Sequence, residues 1–219
     1  MPRGSRDIAV IGLGSFGASV ARELARFGDH VLGIDEDEAR VADLSDALPR
    51  TLIADARDER AMAEAGLAEY DVAVVAMASR LECSLLAVMA ARSLGVEEIW
   101  AKAANPTHAR ILERIGATRI LQPEQQFGEH IAHMLHNPAI GDYVRIGEEL
   151  HVASVRLPSR LAGRSVTELE LQKRYRLRMV GLVRGGVWHD CDPDLALAEG
   201  DMVLLLGARP EIRGFADRI

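Results

Sequence analysis

Three glycines near the N-terminus follow a short apolar run and are spaced as in loops that bind phosphate. The run Ile8–Ile11 is followed by Gly12-Leu13-Gly14-Ser15-Phe16-Gly17, which has the pattern G-x-G-x-x-G. The first glycine of such a loop permits a tight turn, the second lets the backbone approach phosphate, and the third lets the next helix pack closely on the strand. The N–H groups at the start of that helix favour a negative charge. The spacing therefore predicts a nucleotide-binding loop.

A carboxylate at the end of the second predicted strand supports this interpretation. Asp35 follows the run His30–Ile34 and comes 23 residues after Gly12. At this spacing an acidic residue accepts hydrogen bonds from the ribose hydroxyls of adenosine. An acid there also disfavours a 2′-phosphate, so NADP is not the expected ligand. The alternative is that the glycines serve only close packing and that Asp35 is solvated.

A second carboxylate follows the third predicted strand. Asp55 is expected at the same sheet edge, because ligands of this architecture gather at the carboxyl ends of its strands. The alternative is that Asp55 caps the helical segment that begins near Glu59.

The other reactive side chains form no evident catalytic set. Three of them are isolated along the sequence: His151, His189 and Cys191. His130, His133 and His136 repeat every three residues, which fits either a metal-binding stripe or, as we favour, a polar helix surface. Cys83 is interpreted as a small buried apolar residue. The residues alone thus predict an adenine-nucleotide binder without evident catalysis, and a small NAD-dependent oxidoreductase is the alternative.

Composition excludes some classes of function. The chain of 219 residues carries 33 acidic and 26 basic side chains, a formal charge of −7. Such a chain lacks the basic surface that neutralises nucleic-acid phosphates, so neither DNA nor RNA is an expected partner, and no basic helix-turn-helix of a transcription factor is visible. The two cysteines fit no zinc spacing, which favours a reducing cytoplasm. The longest apolar runs, Val72–Ala78 and Met202–Leu206, are too short to span a bilayer.

Short β-branched runs alternate with amphipathic stretches up to about residue 136, which predicts an α/β fold with a Rossmann-like, doubly wound parallel sheet. The predicted strands are Ile8–Ile11, Val31–Ile34, Thr51–Ala54, Val72–Ala76, Ile99–Ala101 and Arg119–Leu121. Two of the predicted helices have apolar faces, one with Val20, Leu24 and Phe27 and one with Leu85, Val88 and Met89. A further helix is predicted over Phe127–His136.

The pattern changes near residue 140, so we predict two domains, 1–140 and 141–219, of which the second is a small α+β domain. Leu150–Leu157 and Met202–Leu206 are predicted strands, and Gly185-Gly186 indicates a hairpin between Val180–Arg184 and Val187–His189. Ser165–Glu168 has the spacing of a capping box, and Glu211–Asp217 is predicted to be the last helix.

Beyond these physical inferences, the chain resembles the KtrA and TrkA regulatory subunits of bacterial potassium uptake, the RCK (regulator of potassium conductance) proteins, over nearly its whole length. Its single copy of each domain is more similar to KtrA. The resemblance is carried by the segments Ala9–Gly17, Val31–Asp35, Trp100–Asn105, Leu112–Ala117, Pro123-Glu124 with Gly128, and Leu197–Gly207.

The resemblance implies a cytoplasmic gating subunit rather than an enzyme. Its first domain would bind ATP, ADP or NAD(H), and its second would be a small C-terminal domain. Such proteins form homodimers that assemble into an octameric ring beneath a membrane potassium-channel subunit of the KtrB or TrkH type. Phe127–His136 matches the helix through which the dimer forms.

The resemblance also implies roles for single residues. Residues 12–17 would frame the phosphates, Asp35 would bind the ribose, and Asp55 would lie beside the adenine. Lys102 matches a lysine near the nucleotide, with a surface strand position as its alternative. Glu124 matches a carboxylate that binds a divalent cation between two subunits, which requires a second copy to complete the site.

One position departs from the family pattern. KtrA-like proteins commonly carry arginine where this chain has Ser15, and a serine supplies no charge to a terminal phosphate. ATP-over-ADP discrimination is therefore in doubt, which favours NAD(H). Some relatives bind cyclic di-AMP between two C-terminal domains. Val166, Leu169 and Arg174 lie in that region, but they are equally ordinary as a helix face, and the question stays open.

Overall fold

The structure is a computed structural model that describes residues 5–78, 80–146 and 149–219, the side chain of His133 excepted. The chain divides into two compact units, one ending at Pro123 and the other spanning Glu124–Ile219. The first unit contains strands β1 (Asp7–Ile11), β2 (His30–Asp35), β3 (Arg50–Ile53), β4 (Val72–Val75), β5 (Glu98–Lys102) and β6 (Arg119–Leu121). Its helices are α1 (Ser15–Arg26), α2 (Glu38–Ala42), α3 (Glu59–Glu64), α4 (Leu81–Ser93) and α5 (Pro106–Ile115).

The six strands form one parallel sheet in the order β3-β2-β1-β4-β5-β6. This order confirms the predicted Rossmann-like, doubly wound class, and all six predicted strands are present within two residues of their predicted bounds. Alternate residues of β1 belong to separate apolar clusters: Ala9 and Ile11 pack with residues of α3, α4 and α5, while Ile8 and Val10 pack with residues of α1 and α2. The central strands β1, β2 and β4 are thus buried on both faces of the sheet, which is why they are apolar along almost their whole length.

Helices α1 and α4 form where their periodicity predicts, and the apolar faces named for them are only partly buried: Val88 is in the core and Val20, Leu24 and Leu85 pack against it. In α1 the buried residues are Gly17 and Ala21, while Phe27 follows the helix and is 74% exposed. In α4 the buried face carries small residues around Val88, and Met89 is 51% exposed.

Helix α6 (Pro123–His136) begins at the last residue of the first unit and otherwise belongs to the second. The second unit also contains strands β7 (Ile140–Ile146), β8 (Leu150–Arg156), β9 (Arg178–Arg184), β10 (Val187–Asp190) and β11 (Met202–Ala208), and helices α7 (Leu171–Tyr175) and α8 (Arg209–Ala216). The strands form an antiparallel sheet in the order β10-β9-β11-β8-β7. The predicted hairpin is confirmed: Gly185 and Gly186 both have positive φ, 58° and 82°, as a two-residue turn of this kind requires.

Two sets of side-chain hydrogen bonds fix the loops of this unit. The predicted capping box is present, since Ser165 and Glu168 exchange side chain–backbone hydrogen bonds of 2.8 and 3.3 Å, and it starts a short 3-10 turn. Asp201 is 1% exposed and accepts bonds from the Arg184 guanidinium at 2.7 and 2.8 Å and from the Ala198 N–H at 2.8 Å. Hydrogen bonds from Arg184 hold the pKa of Asp201 below its ordinary value.

Helix α6 groups with the second unit, whereas the boundary predicted near residue 140 places it in the first domain. Its assignment to a domain stays a prediction. Its exposed apolar residues include Phe127, Ile131 and Leu135, which are 65%, 37% and 78% exposed. Among the helices of the described ranges, none is long and apolar enough to span a membrane.

Candidate functional site

The glycine loop joins β1 to α1 at the carboxyl edge of the parallel sheet. Gly12 has φ +95° and donates its N–H to the Ile34 carbonyl of β2 at 2.7 Å. Gly17 lies in the first turn of α1, where an added Cβ would stand 1.9 Å from the Gly12 carbonyl oxygen and 3.0 Å from the Ala76 Cβ. The first and third glycines are therefore required by the backbone itself.

Gly14 differs from these two glycines, because neither its backbone conformation nor a close contact within the chain requires a glycine at this position. Its backbone has φ −64° and ψ −176°, which any residue adopts, and an added Cβ would meet no atom within 4 Å. The space in front of Gly14 is open, as it must be if an external group approaches the backbone there.

Asp35 ties the end of β2 to the glycine loop. Its side chain is 6% exposed and accepts the Leu13 N–H at 2.7 Å and the Asp37 N–H at 2.9 Å. Arg40 approaches the same carboxylate at 3.4 Å. Because each carboxylate oxygen can accept two hydrogen bonds, Asp35 retains acceptor capacity for ribose hydroxyls.

Asp55 lies after β3 at the same edge, and its carboxylate is bound by an arginine of the same loop. Arg57 donates from its guanidinium to both oxygens of Asp55, at 2.6 to 3.0 Å, and these bonds hold the pKa of the Asp55 carboxyl below its ordinary value. The helix cap considered for Asp55 is supplied by Asp58, which accepts from the N–H groups of Arg60 and Ala61.

Lys102 and Phe16 come together across the sheet edge. The ammonium nitrogen of Lys102, the last residue of β5, lies 5.3 Å from the centre of the Phe16 ring. This cation–π contact places a positive charge beside the glycine loop. The predicted residues of the loop, Asp35 and Lys102 thus belong to one edge of one sheet.

Sequence reasoning missed an ion pair at this edge. Arg80, at the N-cap of α4, contacts the carboxylate of Glu36, the residue after Asp35. The side chains of Arg80 and Glu36 are 49% and 43% exposed. No local signal in the sequence could reveal the pair, because its members are 44 positions apart.

The remaining candidates do not form a reactive cluster. Glu124 is exposed in the first turn of α6. His136 contacts the Arg213 guanidinium at 2.7 Å, and the side chain of His133 lies outside the described residues. Across the described part of the chain, no group of three or more His, Cys, Asp or Glu side chains is placed to hold a metal ion.

Three further residues named from the sequence have structural roles. Cys83 is buried, as expected of a small apolar residue. Leu169 is 6% exposed within the core of the second unit, and Arg174 pairs with Glu170 on the surface.

His108 in α5 is also buried, at 1% exposure, and its ring nitrogen Nδ1 accepts the Ala104 N–H at 3.2 Å. Burial lowers its pKa below the ordinary value of 6.5.

The first unit also exposes an apolar groove between α1 and the sheet, with a volume of about 590 Å³. Helix α1 contributes Phe16, Val20 and Leu24 to it, and the sheet contributes Val74 and Trp100. Val20 and Leu24, which also pack against the core, thus form part of the groove wall.

Comparison with known proteins places the two units in described families. Residues 8–123 match the TrkA-N domain and residues 150–219 match the TrkA-C domain. The chain is 30% identical over 215 residues to the Ktr system potassium uptake protein C of Bacillus subtilis (strain 168), covering 98% of this chain and 97% of the relative. It is also 30% identical to the Ktr system potassium uptake protein A of Vibrio alginolyticus, covering 97% of each.

Solved structures share the fold. The RCK domain of GsuK superimposes with a TM-score of 0.68 at 14% identity, covering 99% of this chain and 48% of that chain. The GsuK channel bound to NAD gives a TM-score of 0.66 at 16% identity, covering 96% and 39%. The structure of GsuK bound to ADP gives a TM-score of 0.51 at 15% identity, covering 58% of this chain and 34% of that chain. The present chain spans about half of the first of these chains and less of the others.

Proposed function

The chain belongs to the KtrA/TrkA family of potassium-uptake proteins, and from this membership we propose that it is the nucleotide-binding gating subunit of a bacterial Ktr- or Trk-type potassium channel. It acts in the cytoplasm, held at the inner face of the membrane by a channel subunit of the KtrB or TrkH type. Its ligand serves as an effector and is not turned over.

The observation that carries this proposal is the glycine loop with Asp35. Two of its glycines are required by the fold, while Gly14 leaves an open approach to the backbone, and Asp35 braces the loop from β2. In the proposed complex Gly12, Gly14 and Gly17 frame the phosphates and Asp35 binds the ribose. Asp55 lies beside the adenine and Lys102 adds positive charge. An adenine nucleotide, ATP, ADP, NAD⁺ or NADH, fits this arrangement, and the GsuK structures with NAD and ADP support the same class.

A ligand can gate a channel only if it binds two shapes of the protein with different affinity. We propose that homodimers assemble into an octameric ring and that nucleotide exchange changes the shape of the ring. Two apolar surfaces support self-association: the groove of the first unit and the exposed apolar residues of α6. Apolar patches of this kind mark interaction sites in soluble proteins.

A divalent cation is a further element of the proposed assembly. The described residues of one chain offer no group of three metal ligands, so one copy alone does not fit a cation. Two copies that face each other would bring together two Glu124 carboxylates, which are hard oxygen ligands suited to Mg²⁺ or Ca²⁺.

Ligand binding is tested by thermal unfolding with ATP, ADP, NAD⁺, NADH and NADP⁺. A ligand at about 100 times its dissociation constant adds roughly 2.7 kcal/mol to the folded state. We expect stabilisation by at least one of the first four and none by NADP⁺. Asp35→Asn should abolish it, while Asp43→Asn, an exposed acid beyond α2, should not. If none of ATP, ADP, NAD⁺ and NADH stabilises the wild-type protein, the proposed function is wrong.

Assembly is tested by mass measurement in solution. The wild-type protein should form multimers, up to eight copies of the 23.9 kDa chain. Phe127→Ser with Leu135→Ser should reduce the assembly, because both exposed side chains lose their apolar surface, whereas Glu129→Gln should leave it unchanged.

Gating itself is tested by potassium uptake in a bacterium that lacks its own Ktr regulatory subunit. The wild-type chain should restore uptake and Asp35→Asn should not.

A further inference from the structure

We propose that Arg80 is the residue that recognises the phosphate charge of the bound nucleotide, leaving Glu36 when the ligand enters. This inference rests on the proposed function and deepens it, because it names the group that makes binding depend on phosphate. It begins from a property of the loop: residues 12–17 include no basic side chain. A cationic side chain that contacts the phosphate therefore comes from another element at this edge.

The position of Arg80 follows from the strand order. Strands β2 and β4 flank β1, so the loops that follow them flank the glycine loop. Glu36 is in the loop after β2 and Arg80 is in the loop after β4. The two strands lie two strand spacings apart, roughly 10 Å, so the ion pair must cross the carboxyl end of β1.

Both flanking loops contact the glycine loop directly. On one side, Asp35 accepts the Leu13 N–H at 2.7 Å. On the other side, the Met77 backbone nitrogen lies 3.4 Å from the position of a Cβ added to Gly12. The Arg80–Glu36 pair therefore spans the mouth of the proposed phosphate site.

The other two arginines of this edge pair with carboxylates on their own side of the site, and Lys102 approaches the glycine loop from β5. Arg57 is bound to both oxygens of Asp55 within its own loop, and Arg40 pairs with Asp35 and Asp37 beside α2. Lys102 lies over the Phe16 ring. Arg80 instead reaches across the site to a half-exposed carboxylate.

When Arg80 leaves Glu36 and binds a phosphate, it loses a weak ion pair and gains stronger hydrogen bonds. Ion pairs between exposed side chains contribute little stability, since water competes with them. A guanidinium and a phosphate form charge-assisted, often bidentate hydrogen bonds that are stronger than neutral ones. Glu36 is then a competitor that holds Arg80 in place when the site is empty and is displaced by a ligand with phosphate oxygens.

The two partners are therefore predicted to have opposite effects on ligand binding. Removing Arg80 removes the phosphate contact, whereas removing the charge of Glu36 frees Arg80 for the ligand. A pair that only stabilised the loops would give the same sign for both variants. This difference separates recognition from a structural role.

The test is isothermal titration of the full chain with ADP and with adenosine, which lacks phosphate. Arg80→Gln should weaken ADP binding about tenfold, the size of one lost charge-assisted contact, and leave adenosine binding unchanged. Glu36→Gln should tighten ADP binding a few-fold by the same reasoning, and the tightening should diminish at high salt. Arg60→Gln, which removes an 88% exposed arginine of α3, is the matched control and should change neither.

Three outcomes would overturn the inference. Arg80→Gln could bind ADP as the wild type does, both variants could weaken ADP equally, or adenosine could weaken together with ADP. In each case Asp35→Asn separates the two proposals: if it still abolishes binding, the nucleotide site stands and only the role of Arg80 is wrong. If the wild-type protein binds no nucleotide, both proposals fall.

Discussion

Two single substitutions in the glycine loop, Gly17→Ala and Gly14→Ala, should have different effects: the first should lower stability and the second should lower nucleotide affinity. Gly17→Ala places a Cβ 1.9 Å from the Gly12 carbonyl oxygen, where side-chain carbons keep at least 3.0 Å, so α1 or the loop must move by about 1.1 Å, the difference of the two. Overpacking of this kind costs about 1–3 kcal/mol. For a chain of this size each kcal/mol lowers the melting temperature by about 2–4 °C.

Gly14→Ala should behave in the opposite way. Its φ of −64° suits alanine, and the added methyl group meets no protein atom within 4 Å. We expect the free energy of unfolding to change by less than about 1 kcal/mol, because the restriction of the unfolded chain by alanine and the preference of the N-cap position for glycine act in opposite directions. The methyl group would occupy the space that the phosphate needs, so nucleotide affinity should fall about tenfold or more.

The assay is scanning calorimetry without ligand, followed by titration with ADP and NAD⁺. Gly17→Ala should lower the melting temperature, and Gly14→Ala should lower only the affinity. If Gly14→Ala binds both ligands like the wild type, no phosphate approaches this part of the loop, and the reasoning from the open space is refuted. If Gly17→Ala melts like the wild type, the close contact with Gly12 is wrong.

Three further predictions concern stability. Asp201→Ala removes a buried carboxylate that accepts three hydrogen bonds, and it should lower the free energy of unfolding, measured in urea, by about 1–3 kcal/mol. The control Glu199→Gln, at an exposed position, should not lower it, and equal stability of the two variants would contradict the prediction. Because burial lowers the pKa of His108, the unfolded chain binds its proton first, so stability should fall as the pH drops below about 6.5, by at most about 1.4 kcal/mol per pH unit. His108→Gln should reduce the difference in unfolding free energy between pH 7.5 and 5.5, and an unchanged difference would exclude this residue as a cause. Leu205→Ala empties a fully buried site in the second sheet and should cost about 2–5 kcal/mol in the same urea assay, a loss below about 1 kcal/mol being inconsistent with that burial.

The sheet and the glycine loop were predictable because their signals are local. Strands buried on both faces must be apolar throughout, which is visible in Ile8–Ile11 and Val72–Val75. The loop has glycines where a positive φ or a close contact excludes other residues, as at Gly12 and Gly17. The hairpin at Gly185-Gly186 was predictable for the same reason.

What could not be predicted depends on partners distant in the chain. Periodicity indicates an apolar face of α1 but not which of its residues is covered, and Phe27 of that face is 74% exposed. Asp55 and Asp58 are equally good candidates for a helix cap in the sequence, and only the backbone geometry selects Asp58. The Arg80–Glu36 pair forms because β2 and β4 flank β1, which is a property of strand order.

That strand order also constrains how the protein forms during synthesis. Strand β1 lies between β2 and β4, and Ile8 pairs with Val72, which the ribosome adds 64 residues later. At roughly 5–20 residues per second, β1 waits about 3–13 seconds for its second neighbour. During this interval an apolar strand has one open edge on the nascent chain, where it is exposed to chaperones and to aggregation. The glycine loop, which β4 helps to enclose, therefore cannot be complete until more than a third of the chain has been translated.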